Sequence, residues 1–191
     1  MKRGFVSKYL LLVTLFSVLS FGIGGALPKA TSMAWDGHWS NHKSIPYVNN
    51  VTGNTLLKSL VNTAALNNIN NYQTIVKYVQ SNNATGRHVL VKDVNLPSVT
   101  WTGKAEGASY NWDSNKHYYR VTVQLNVGKG ITKYSDSKLK GLIAHELGHA
   151  LGLQHWENFD NFLMYPYDTR TQYTPNSAEA NVLYYHYYHQ M

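Results

Sequence analysis

The chain has 191 residues, no cysteine, and 17 basic against 10 acidic side chains, a formal charge of +7. That length suits a single domain behind a short targeting segment, and the missing cysteines exclude disulfides and a lipid-modified N-terminal cysteine. The basic excess does not point to nucleic acid, because no Lys/Arg cluster of the kind a phosphate groove needs is present.

Lys2, Arg3 and Lys8 precede an apolar run over residues 9–21, followed by glycines and by the small residues Ala26, Ser32 and Ala34. This is the layout of a secretory signal peptide, read here as residues 1–34, with cleavage after Ala34 preferred to cleavage after Ala26. The apolar run falls short of the roughly 20 residues that span a bilayer. Residues 35–191 are therefore expected as one exported domain, secreted or associated with the cell envelope and without stable membrane insertion. Losing Lys2, Arg3, Lys8 and Lys29 lowers the formal charge from +7 to +3.

Residues 45–49 read as a short strand. From 54 to 79 an apolar stripe at Leu57, Val61, Ala65, Ile69, Tyr72, Val76 and Val79 recurs about every 3.7 residues, which predicts one long amphipathic helix. The Asn67, Asn68, Asn70 and Asn71 cluster is its weak point, since asparagine side chains compete for the backbone. Residues 89–94 and 99–101 read as strands, and the glycine-punctuated stretch 103–112 as an irregular edge strand. The alternation of Tyr119, Val121, Val123, Leu125 and Val127 predicts a half-buried strand. Ser135 or Asp136 then caps a helix whose Leu142, Ile143, Leu147, Ala150 and Leu151 face the core. Thr174-Pro175 marks the start of a closing helix. His88 and His117 read as ordinary strand histidines, and His186 and His189, at i and i+3, as surface imidazoles.

The chemistry lies in His145-Glu146-Leu147-Gly148-His149-Ala150-Leu151-Gly152-Leu153-Gln154-His155. On a helix at about 100° and 1.5 Å per residue, His145 and His149 differ by about 40° and lie about 6 Å apart along the axis, so they share a face and can share an ion. Glu146 is beside that face, where a general base belongs. In a continuous helix His155 would lie about 15 Å from His145, too far to join them. The helix must stop first, and Gly152 lets it, because glycine enters the left-handed region cheaply. Three imidazoles leave the fourth position of a tetrahedral zinc to water, as in catalytic sites.

His145-Glu146-x-x-His149-x-x-Gly152-x-x-His155 resembles the extended zinc signature of the metzincin metallopeptidases, and Phe162-Leu163-Met164-Tyr165-Pro166-Tyr167 resembles their Met-turn. The short gap from His155 to Met164 and the Leu-Met-Tyr-Pro context are similar to the matrixin branch. Trp156 stands where matrixins carry Ser or Thr. The resemblance implies an α+β, metzincin-like zincin catalytic domain: a mixed five-stranded sheet with a long helix, an active-site helix and a C-terminal helix. It implies His145, His149 and His155 as zinc ligands, Glu146 as the catalytic base, and Met164 packed beneath the metal without binding it. Pro166 occupies the position of the tyrosine ligand of other branches, so no fifth ligand is implied. The expected activity is endopeptidase cleavage of a protein or peptide substrate by a monomer, the substrate lying extended along the edge strand near 105–110. Its side chain after the scissile bond would enter a pocket walled by the zinc helix and residues 165–167. Trp35-Asp36-Gly37-His38 is the candidate plug for any latent form. Two rival readings are a secreted zinc-binding envelope protein without catalysis and a zinc hydrolase of a non-peptide amide.

Overall fold

The computed structural model describes residues 33–83 and 85–188. The expected signal peptide, apart from Met33 and Ala34, lies outside the described residues, as does His189.

Strand β1 (Ile45–Asn49) forms where its sequence predicts. Helix α1 (Thr55–Thr63) starts at Asn54, whose side chain accepts a hydrogen bond from the Leu57 amide at 2.8 Å, and it buries Leu57, Leu60 and Val61. A π-helical segment, Ala64–Asn70, continues it. The single helix expected over 54–79 is thus cut short, and asparagine and glutamine side chains are the reason. Gln73 accepts from the amides of Ile75 and Val76 and donates to the carbonyls of Ile69 and Val76, at 2.8–3.1 Å. Asn70 brackets both backbone groups of Tyr78 at 2.8 Å. These amides replace the helical ladder, as local side-chain bonding does when it competes with a helix. The chain turns, and β2 (Tyr78–Gln80) pairs parallel with β1.

Three more strands complete a mixed sheet: β3 (His88–Val94), β4 (Gly103–Glu106) and β5 (Arg120–Asn126), in the order β2-β1-β3-β5-β4. β1, β3 and β5 run parallel, and β4 is an antiparallel edge strand on β5. Val121, Val123 and Leu125 are fully buried, as the alternation in β5 requires. The expected strand at 99–101 does not form. Fully buried Asn126 instead anchors this connection, accepting from Leu96 N and donating to Leu96 O and Trp101 O at 2.8–3.1 Å. The edge strand ends at Glu106 and not at 112, because Gly107 turns the chain at φ +95°.

Helix α2 (Asp136–Ala150) is capped by Ser135, whose side chain accepts from Lys138 N at 3.3 Å. It packs on α1, β4 and β5, which sets its last turns beneath the sheet edge. The closing helix α3 (Ser177–Tyr188) starts two residues beyond Pro175. Asn176 and Glu179 form a capping box: the Asn176 side chain accepts from Ala178 N and Glu179 N, and Glu179 accepts from Asn176 N. Neither Thr174 nor Pro175 can supply that reciprocal pair. His186 is not a surface imidazole. It is 3% exposed and donates through Nε2 to Gly37 O at 2.8 Å, because that face of α3 covers the N-terminal segment. Among the described residues no helix is long and apolar enough to cross a membrane.

Candidate metal centre

The C-terminal end of α2 builds the centre. Leu153 N donates to Gly148 O at 3.1 Å and Gly152 N to His149 O at 2.9 Å, the two bonds of a Schellman motif with Gly152 at φ +99°. The chain doubles back as its sequence requires, and the three predicted histidines meet. Nε2 of His155 lies 3.3 Å from Nε2 of His145 and 3.0 Å from Nε2 of His149.

The proton positions follow from the partners. His145 Nδ1 faces Leu163 O and His149 Nδ1 faces Leu153 O, both at 2.7 Å. A carbonyl only accepts, so each Nδ1 carries the proton and each Nε2 presents a lone pair. Burial first, then neighbouring positive groups, pushes the His145 pKa well below its usual value and that of His149 down to about 3. Burial and the Arg170 charge lower His155 as well. All three rings are therefore neutral near pH 7, the state that ligates a metal. With Nε2 of His155 unprotonated like the other two, the lone pairs at these distances repel unless a cation lies between them. Nitrogens bonded at 2.0–2.1 Å to one tetrahedral zinc sit about 3.3 Å apart, so the donor set fits zinc. The carbonyl partners are the outer contacts that orient metal-binding imidazoles.

Glu146 is 4% exposed, and burial, opposed by Arg170 and reinforced by Asp168, raises its carboxyl to about 8. A dication at the imidazoles favours the ionised form and draws that value back toward neutrality. The carboxylate lies against Gly103 of β4: a Cβ added there would sit 2.5 Å from Oε1 and 2.7 Å from Cγ. Both line a cavity of about 440 Å3 together with His149, His155, Tyr167 and Arg170.

Met164 is fully buried, and its backbone N–H donates to Glu179 at 2.8 Å, so the capping carboxylate of α3 also fixes the Met-turn. A Cβ on Gly148 would meet the Met164 sulfur at 2.5 Å, which places the thioether against the helix between the two histidines. Trp156 stacks on Phe162 at 4.5 Å instead of facing the cavity. Trp35 lies 5.3 Å from the His149 ring, centroid to centroid, and its amide donates to Gly152 O at 2.8 Å. Of the candidate plug, Trp35 alone lines the cavity, while His38 lies beside His117 and His186. Sequence reasoning missed Gly103, Arg170 and Glu179. Asn176-x-x-Glu179 is a local capping pattern, but its bond to Met164 N, the approach of Gly103 to Glu146 and the place of Arg170 on the cavity wall all depend on residues distant in the chain.

Fold and centre together define a zinc-dependent metallopeptidase. A family model for the dual-action HEIGH metallo-peptidases matches residues 40–165, more than half of the chain, and the chain belongs to that family. The family's His-Glu-Ile-Gly-His is spelled His145-Glu146-Leu147-Gly148-His149 here. No curated protein matches the chain. Among solved structures, the archaemetzincin of Methanopyrus kandleri is similar with a TM-score of 0.52 at 14% identity, over 76% of this chain and 95% of that one. At that identity the likeness is one of fold.

Gly103 yields a direct test of how Glu146 is held. Gly103→Ala should retain one zinc per chain, because no ligand is touched, while kcat falls about 10- to 100-fold as the carboxylate is displaced. Metal analysis beside peptide kinetics reads both quantities. Full kcat would show that the carboxylate does not need its present place.

Proposed function

We propose that the chain is a secreted zinc endopeptidase in which Glu146 moves the proton during hydrolysis. The observation that carries this reading is the pairing of three convergent, neutral imidazoles with a buried carboxylate that makes no hydrogen bond among the described residues. Bound at the imidazoles, zinc supplies Lewis-acid polarisation of a carbonyl and acidification of water. Glu146 takes a proton from the attacking water as its oxygen bonds to the peptide carbon. It then delivers that proton to the leaving nitrogen as the C–N bond breaks, which leaves a carboxylic acid and an amine.

Gly103, Lys104 and Ala105 line the cavity, and among the described residues no strand pairs with the outer edge of β4. An extended peptide can add to that edge by backbone pairing. This supports endopeptidase action, since strand addition does not require a chain end. The short gap from His155 to Met164 and the Leu163-Met164-Tyr165-Pro166 sequence support a matrixin-like Met-turn. The intact Glu146 argues against the binding-protein alternative, since binding zinc needs no such carboxylate.

Secretion belongs to the same reading and rests on the N-terminal sequence. Ala34 bridges Leu153, and Met33 O accepts from Gln154 N at 2.8 Å. Cleavage after Ala26 keeps these bonds, whereas cleavage after Ala34 removes them. Intact-mass analysis of exported protein should give a chain starting after one of these two alanines; residues 1–26 still attached would contradict export through a cleaved signal.

Ligand and base variants separate the two roles. His149→Ala should lose zinc and activity together, whereas Glu146→Ala should hold one zinc per chain and lose about 10²- to 10⁴-fold in peptide hydrolysis. Metal analysis with mass-spectrometric mapping of a mixed peptide library checks both. Wild-type rates in Glu146→Ala would refute the mechanism, and a zinc-loaded wild type that cuts no peptide would favour the binding-protein reading.

A further inference from the structure

Arg170 is the one cation on the cavity wall that is both buried and unpaired among the described residues. It is 6% exposed, and it lines the cavity with Glu146, His149 and His155. Its Nε donates to Tyr165 O at 3.1 Å, which ties it to the segment following Met164. Guanidinium has five N–H bonds, so four remain, and no described carboxylate lies within 4.0 Å of them. Asp168, the neighbouring acid, accepts from the Tyr134 hydroxyl instead. The polar atoms sealed without a partner belong to His38, His88, Trp156 and His186. The terminal nitrogens of Arg170 are not sealed, and the residue lines the cavity.

A purely structural role does not explain this arrangement. Holding one carbonyl takes one neutral donor, and a guanidinium largely removed from water without a carboxylate partner is less favourable there than a neutral side chain. The charge is compensated at a distance by Asp168 and Glu146. With a dication at the imidazoles, the charged residues lining the cavity, Lys104, Glu146, Asp168 and Arg170, leave a formal excess of two positive charges, which attracts an anion.

We propose that Arg170 forms a carboxylate-binding subsite in the cleft, so that the enzyme prefers peptides carrying an acidic group on the side of the scissile bond facing the wall after the Met-turn. A guanidinium and a carboxylate make two parallel charge-assisted hydrogen bonds, a geometry that lysine cannot reproduce. The carboxylate has two possible sources, an Asp or Glu side chain or the free C-terminus of a short peptide. The inference rests on the peptidase reading for the identity of its ligand.

The test is a binding measurement on zinc-loaded Glu146→Gln protein, in which bound peptide persists. Calorimetry would compare an acetylated, amidated hexapeptide lacking acids, the same peptide with one Glu moved through each position, and the acid-free peptide with a free C-terminus. At least one carboxylate-bearing peptide should bind about tenfold or more tightly than the neutral parent, with a contrast that shrinks as salt rises. Glu at one position identifies a side-chain subsite, and the free C-terminus identifies an end-binding one. Adding Arg170→Gln should reduce the contrast to about twofold or less, and Arg170→Lys should restore part of it. Equal binding of acidic and neutral peptides with Arg170 intact would overturn the inference even if Arg170→Gln fails to fold. So would a contrast that survives in a folded, zinc-loaded Arg170→Gln protein. Because binding is read without turnover, a wild type that cuts nothing would sink the peptidase reading while leaving the subsite standing.

Discussion

The centre depends on the left-handed turn at Gly152. That residue ends α2 one turn after His149, and the bonds from Gly152 N to His149 O and from Leu153 N to Gly148 O close the helix end. The same turn places Leu153 O against His149 Nδ1 and returns the chain so that His155 reaches the other two rings. An L side chain at 152 would pay about 1–2 kcal/mol for the conformation alone. Its Cβ would also meet His186 Nε2 at 2.7 Å and Gly37 O at 3.1 Å. Ligand geometry, helix termination and packing of the N-terminal segment therefore share one residue.

Around that turn, aromatic donors from distant parts of the chain hold the end of α2. Tyr78 donates to Leu147 O at 2.8 Å, Trp39 to Ala150 O at 2.7 Å and Tyr187 to Leu151 O at 3.0 Å. Each ring adds buried apolar area, and Trp39 and Tyr187 satisfy carbonyls that would be costly to leave unpaired out of water, while Tyr78 adds a second donor to Leu147 O beside Leu151 N. In a chain without cysteine, these bonds do the fastening that disulfides provide elsewhere. Glu179 extends the scheme to the Met-turn by joining the Met164 amide to the start of α3. The ligand helix, the returning loop and the thioether beneath them are thus held from β2, the N-terminal segment and α3 at once.

What could be read from the sequence was whatever depends on short-range spacing. The histidines, Glu146, Gly152 and the strand periodicity of β5 each follow from separations of a few residues, and the structure brings the three imidazoles together as that spacing requires. The 54–79 stripe misled because apolar period does not register side-chain amides. Gln73 and Asn70 captured the backbone and released Tyr78 to become a strand. His186 looked exposed because helical spacing says nothing about what covers the helix, and Gly37 covers it. Arg170 and Gly103 carry no local pattern, and the one Glu179 carries, its capping box with Asn176, does not foretell its bond to Met164 N. Their partners arrive through the tertiary fold, so only coordinates reveal them.

α2 and its returning loop hold three neutral imidazoles ready for one zinc ion, and among the described residues no fourth ligand joins them. Anomalous diffraction at the zinc edge from crystals of the metal-loaded protein tests this most directly. One zinc peak is expected within about 2.0–2.1 Å, the usual zinc–imidazole distance, of Nε2 on His145, His149 and His155, with Glu146 outside the coordination sphere. A peak at another site, or a zinc bound directly by Glu146, would contradict it.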